Sequence, residues 1–226
     1  MMTILLATHL AAALVEEGAF KDDKREGPWT RYFADGKVAE REQYDHGLRT
    51  GRWAKFYPGG RTAEDGAFKN DKRDGVWTRY FPNGRKAGLE GYRAGLREGH
   101  WAKWFETGKL VEEGDYKADK RDGAWSRYFP DGRRGELEHF AAGQRIGQWA
   151  KWYDNGQLAE EGHFAADKKD GPWRRYFPDG QLAEEELYHA GLREGTFRKY
   201  VQRGTPNVKA TTLPDAPSGL DLEATP

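Results

Sequence analysis

Eight basic residues stand 24 apart along this 226-residue chain: Arg31, Lys55, Arg79, Lys103, Arg127, Lys151, Arg175 and Lys199. An aromatic follows each one, at Tyr32, Phe56, Tyr80, Trp104, Tyr128, Trp152, Tyr176 and Tyr200. Tyrosine, tryptophan and arginine supply the energetic centres of protein interfaces. A row of bases also attracts anionic headgroups. The chemistry these residues suit is therefore non-covalent capture. Glutamate recurs nine places after the base, at Glu40, Glu64, Glu112, Glu136, Glu160 and Glu184, and the series is broken by Gly88. If base and acid lie on facing strands, each pair contributes roughly 0.2–1 kcal/mol.

Covalent chemistry finds less support. His9, His46, His100, His139, His163 and His189 form no cluster in sequence. His139 and His163 share a repeat position, but neighbouring hairpins lie two strand spacings apart, about 9–10 Å, too far for one metal ion. Ser126 takes the place held by Thr30, Thr78 and Ala102 in other units, a structural position. Paired carboxylates such as Glu112 and Glu113 recur, whereas catalytic pairs need one special environment. With no cysteine there is no thiol catalysis, disulfide or cysteine-ligated metal. The expectation is a protein that is not an enzyme and has no cofactor or metal.

The elements that position these rows are set by the same period. Gly-x-Trp recurs from Gly27 and Trp29 to Gly171 and Trp173, and Gly195 with Phe197 closes the series. A second glycine lies nine residues on (Gly36, Gly60, Gly84 and onward), and an aromatic seventeen on (Tyr44, Phe68, Tyr92 and onward). A fixed short period means one supersecondary unit stacked many times. Trp173 to Phe177 suits a half-exposed strand. Phe177-Pro178-Asp179-Gly180 carries turn chemistry, with glycine able to close a three-residue hairpin in the left-handed conformation. A return strand over about 181–188 and a polar turn complete the unit, leaving no room for a helix. Arginine and lysine alternate strictly at the basic position, which exposes a superperiod of 48 residues. The fold class is all-β: an elongated antiparallel meander, or solenoid, of 24-residue hairpins.

This pattern resembles the MORN-variant repeat, the type found in bacterial YwqK-like antitoxin-family proteins. The stretch from Gly147, Trp149, Trp152 and Tyr153 to Gly156 and Leu158 follows its consensus of G-x-W-x-x-Y-[YF]-x-x-G-x-L. The resemblance covers residues 14–204 and implies an elongated antiparallel meander with one hairpin per repeat. It implies a binding or scaffolding module, because these repeats serve unrelated systems.

The ends differ from the array. Leu14 to Phe20 repeats Leu110 to Tyr116 in phase, so it reads as the return strand of a degenerate first unit. Residues 1–13 read as an apolar cap over an open sheet edge. The rival reading is a secretory signal, which would mean export; the missing positive n-region favours the cap and a cytoplasmic protein. Residues 205–226 turn to Pro, Thr, Asp and Ala and are expected to be disordered.

Charge is balanced at 37 basic and 37 acidic residues, so nothing points to nucleic acid. The expected function is a repeat scaffold for a protein partner, a toxin to be neutralised or a component of an assembly. Its contact residues are expected in the middle units: Arg79, Trp101, Lys103, Trp104, Arg127, Tyr128, Trp149 and Trp152. Two alternatives stand beside it. One is peripheral binding to anionic lipid, which animal and parasite MORN proteins suggest; the other is a cell-wall or carbohydrate-binding repeat. The tryptophans also carry a structural reading, as aromatics stacking from one repeat to the next.

Overall fold

A computed structural model describes residues 15–203. The expected cap or signal at 1–13 and the expected disordered tail at 205–226 lie outside the described residues. Within them every regular element is a strand, and all strands join one antiparallel sheet in chain order. The all-β hairpin meander read from the period is the fold.

One hairpin shows how the sequence builds it. The outgoing strand Lys120–Tyr128 pairs with the return strand Arg134–Ala141 from Gly123 opposite Phe140 to Arg127 opposite Glu136. The register then slips, so that Tyr128 faces Arg134. At the turn Phe129 N–H donates to Arg133 O and Gly132 N–H donates to Phe129 O, both at 2.8 Å. Asp131 Oδ1 accepts the Arg133 N–H at 2.8 Å. Gly132 sits at φ 94°, and Gly36, Gly84 and Gly180 repeat it at 82°, 87° and 85°, as the turn chemistry requires.

The opposite edge is a row of two-residue turns with both corners left-handed, the hairpin geometry that matches strand twist. The corners are Ala118 (φ 48°) with Asp119 (65°) in one unit type and Ala142 (51°) with Gly143 (89°) in the other. Alanine is uncommon in that region. Stacked turns hold it there. Glu98 Oε2 accepts the Ala118 N–H at 3.0 Å, and Asp122 Oδ1 accepts the Ala142 N–H at 3.3 Å. Asp119 Oδ1 in turn accepts the Arg97 N–H at 2.9 Å.

The Gly-x-Trp glycine does more than start a strand. Gly123 is left-handed at φ 73° and forms a bulge, so that Gly123 to Trp125 stand opposite the single Gly114. That bulge lets the tryptophan ring fold back across the preceding strand. Trp125 lies over Gly114, where a Cβ would come 2.3 Å from the ring. Its Nε1–H donates to Asp115 O at 3.1 Å, and the Arg121 guanidinium sits 4.0 Å above the ring. Trp101 lies against it at 5.4 Å between centroids. The arrangement recurs for Trp77 over Gly66 and Trp173 over Gly162. The core is therefore a single row of paired tryptophans on one face of the sheet. Trp29, Trp53, Trp77, Trp125 and Trp173 are its buried members.

Candidate functional site

Strand alternation divides the conspicuous residues between two faces. On the tryptophan face a second row runs beside the indoles, each member in register with the next strand's residue. In order it reads Glu16, Arg31, Glu40, Lys55, Glu64, Arg79, Gly88, Lys103, Glu112, Arg127, Glu136, Lys151, Glu160, Arg175, Glu184 and Lys199. Acid and base alternate along it except at Gly88. Arg127 bridges its neighbours, with Nη1 to Glu136 at 2.9 Å and Nε to Glu112 at 3.3 Å. Partial burial works against its charge, and Glu112 with Glu136 outweighs that, holding the guanidinium above its ordinary pKa. Such half-exposed pairs contribute about 0–1 kcal/mol each, so the row supplies registry and a charge pattern more than stability.

A third row, two residues past the base, lines the turn edge of the same face: Phe33, Tyr57, Phe81, Phe105, Phe129, Tyr153 and Phe177. Tyr57 and Tyr153 reach across to the next hairpin, donating to Tyr80 O at 2.7 Å and Tyr176 O at 2.8 Å. Between the charged row and this aromatic row run open grooves. One, of about 730 Å³, is lined by Lys55, Tyr57, Glu64, Arg79 and Phe81, and extends to Trp101 and Lys103. Another, of about 680 Å³, is lined by Phe129, Lys151, Tyr153, Glu160, Arg175 and Phe177, 96 residues further on. They are one site type repeated at four units' distance.

The other face carries the aromatics next to the bases. Tyr128 OH donates to Glu113 at 2.6 Å and Tyr176 OH to Glu161 at 2.7 Å. Burial and then the Glu161 hydrogen bond push the Tyr176 hydroxyl up to about 12.

The eight expected contact residues are consequently not one surface. Arg79, Trp101, Lys103, Arg127 and Trp149 share the tryptophan face, whereas Trp104, Tyr128 and Trp152 lie on the opposite one. Trp149 is half-buried and donates from Nε1 to Glu136 at 3.2 Å while stacking on Trp173 at 5.3 Å. Arg79 and Lys103 are exposed. The groove aromatics Phe81, Phe129, Tyr153 and Phe177 were absent from that expectation. Their signal was present, since they alternate onto the same face as the bases. Glu26, Asp45 and His46 come within 4.8 Å of one another at the return-turn edge. Glu26 there accepts the His46 backbone N–H at 2.8 Å, the same turn staple seen for Glu98 and Asp122.

An open sheet of repeated hairpins, with rows of equivalent side chains and open grooves, has the architecture of a β-hairpin repeat protein. Its repeats can be assigned. The MORN repeat variant family matches residues 25–46, 97–118, 145–166 and 169–190, so the chain carries MORN-variant repeats. The units between those segments keep the same spacing and the same hairpin geometry. No curated protein matches the chain. Solved structures similar to it include the crystal structure of TcdB2-TccC3, at 13% identity over 80% of this chain and a TM-score of 0.21. A second is the Tc holotoxin pore of Photorhabdus luminescens with a mutant TccC3, at 13% identity over 77% of this chain and a TM-score of 0.19. This chain spans 12% of the length of each, and a likeness that slight bears on neither fold nor function.

Proposed function

We propose that the chain is a non-enzymatic docking scaffold that binds an extended segment of a protein partner along the tryptophan face. The observation that carries this reading is the groove repeated 96 residues apart, with alternating charge on one wall and aromatics on the other. An extended peptide laid across the sheet would meet the same pattern at each step. A rigid hairpin array loses little conformational freedom on binding, which favours such an interface. The narrower reading, that the partner is a toxin held inactive by this surface, comes from the resemblance to YwqK-like antitoxin-family repeats.

Two sets of variants test the reading. Phe81→Ala and Phe177→Ala alter the groove, and Trp104→Ala and Trp152→Ala alter the other face; thermal unfolding first confirms that each folds. Capture of a defined protein partner that survives moderate salt and is weakened about tenfold or more by the groove pair alone supports the proposal. Losses confined to Trp104 and Trp152 would move the interface to the other face. Adhesion to phosphatidylserine vesicles that fades with salt, with equal losses for each base removed from Arg31 to Lys199, would replace a protein partner with a membrane.

A further inference from the structure

The charged row has one defect, where two neighbouring bases have no carboxylate between them. At Gly88 the carboxylate found at Glu40, Glu64, Glu112, Glu136, Glu160 and Glu184 is missing. Gly88 pairs with Arg79 on one side and Lys103 on the other, so two cations flank a position with no acid. Arg79 leans across the gap, with Nε 3.2 Å from where a Cβ would stand, and its Nη2 reaches Glu90 one row away. Glu90 also takes the Tyr92 hydroxyl, so both of its oxygens are engaged. Among the described residues Lys103 has no ion pair within 4.0 Å, which is also true of Lys55 and Lys151, but Lys103 alone of the three lacks a carboxylate in register on one side. Its other neighbour in register, Glu112, is engaged by Arg121 at 3.0 Å and Arg127 at 3.3 Å.

The indole beside the gap is affected in the same way. Trp53 donates from Nε1 to Glu40 at 2.6 Å, and Trp149 to Glu136 at 3.2 Å. The equivalent acceptor for Trp101 would be residue 88, and Nε1 of Trp101 has none among the described residues. The groove here runs past the gap to Trp101 and Lys103. The Arg79 guanidinium thus lies at the gap, and Lys103 and Trp101 line the groove beside it, in a sheet that elsewhere has a glutamate at that position.

We propose that the Gly88 gap is a carboxylate-binding subsite, which takes an aspartate or glutamate side chain of an extended protein segment lying in the groove. It deepens the docking reading above and rests on it. The incoming carboxylate would accept from Arg79, Lys103 and Trp101 Nε1, restoring the alternation that the chain interrupts. Charge-assisted hydrogen bonds of this kind are the strong ones, and guanidinium geometry suits a carboxylate.

The sheet provides its own test, because glutamate is accepted at this position seven times, from Glu16 to Glu184. Gly88→Glu should fill the subsite from within; Gly88 has an ordinary φ, and the nearest obstruction is the flexible Arg79 side chain. Leu89→Glu is the control. It makes the same change of charge one residue away but on the opposite face, where other units carry Glu113 and Glu161. The full chain is titrated with hexaglutamate peptide at low salt, following the indole N–H resonance of Trp101. The expected result is a saturable Trp101 shift, with apparent affinity lowered at least tenfold by Gly88→Glu and by Lys103→Ala and unchanged within about twofold by Leu89→Glu. Equal weakening by Gly88→Glu and Leu89→Glu, or no Trp101 shift at all, overturns the subsite. A shift produced equally by acetate or inorganic phosphate overturns the peptide as its occupant. If the Trp101 shift fails while partner capture still depends on Phe81 and Phe177, the subsite falls and the docking scaffold stands.

Discussion

The two kinds of tryptophan show what the superperiod of 48 is for. Trp77, Trp125 and Trp173 follow a return strand with glycine at the facing position, and each ring closes over that glycine with its N–H on a backbone carbonyl. Trp53, Trp101 and Trp149 follow a return strand in which that place is held by Glu42, Glu90 or Glu138, and their N–H groups look to a side chain or to none. The first set is at most 3% exposed; in the second, Trp53 is 8% exposed and Trp101 and Trp149 are half-buried. One residue, glycine or glutamate, decides whether the indole N–H closes onto a backbone carbonyl or is left to a side chain. The array therefore alternates a sealed joint with a polar one.

The largest test of that contrast is truncation. Trp125→Ala should cost about 3–5 kcal/mol, the range for a fully packed large aromatic, whereas Trp149→Ala should cost less than half as much. Urea unfolding of both variants checks it, and equal costs would erase the distinction between joints. Next in size is Gly114→Ala. A Cβ there would stand 2.3 Å from Trp125, so the ring must move and about 1–3 kcal/mol should be lost. Ala150→Gly, on the other face, should show no such clash and only the usual backbone penalty of about 0.5–1 kcal/mol.

A smaller effect separates the polar joints from each other. Tyr44, Tyr92 and Tyr188 donate their hydroxyls to Glu42, Glu90 and Glu186, but Phe140 leaves Glu138 without that donor. Burial first, then the neighbouring charge of Glu136, holds the Glu138 carboxyl above its ordinary pKa. The folded chain therefore binds this proton more tightly than the unfolded one, so its contribution to stability falls as pH rises from the ordinary glutamate pKa through the raised one. Phe140→Tyr supplies a donor to the ionised form. It should stabilise by about 1 kcal/mol at pH 7 and by less at pH 4, read from thermal unfolding at both values. The same gain at both would mean the hydroxyl does not act on the Glu138 charge.

Much of this was legible in the residues. The strict period, the turn at Pro130-Asp131-Gly132 and the equivalent base and acid positions led directly to hairpins with paired charges. The alternation of Gly114 and Glu138 at one repeat position was equally visible, yet its meaning was not. Nothing local says that Gly123 bulges and throws Trp125 across the neighbouring strand, because that requires the second strand to be in place. The expected contact residues divide between the two faces. Trp104, Tyr128 and Trp152 look equivalent to Trp101, Arg127 and Trp149 as aromatic and basic residues of the same units, but strand alternation separates them by the thickness of the sheet.

By itself the sequence determined the unit, its turns and its number, since left-handed glycine positions and a 24-residue spacing leave little other way to satisfy the backbone. It also determined that acid and base alternate and that the alternation fails once, at Gly88. Only the tertiary structure decided what those facts amount to. Register between hairpins, set by stacked turns and bulges, turns seven separated glutamates and eight bases into one continuous row. It also brings Arg79, Lys103 and the Trp101 indole around the same gap. Positions 79, 88, 101 and 103 become neighbours because hydrogen-bonded strands lie about 4.8 Å apart, a closeness that spacing along the chain cannot express.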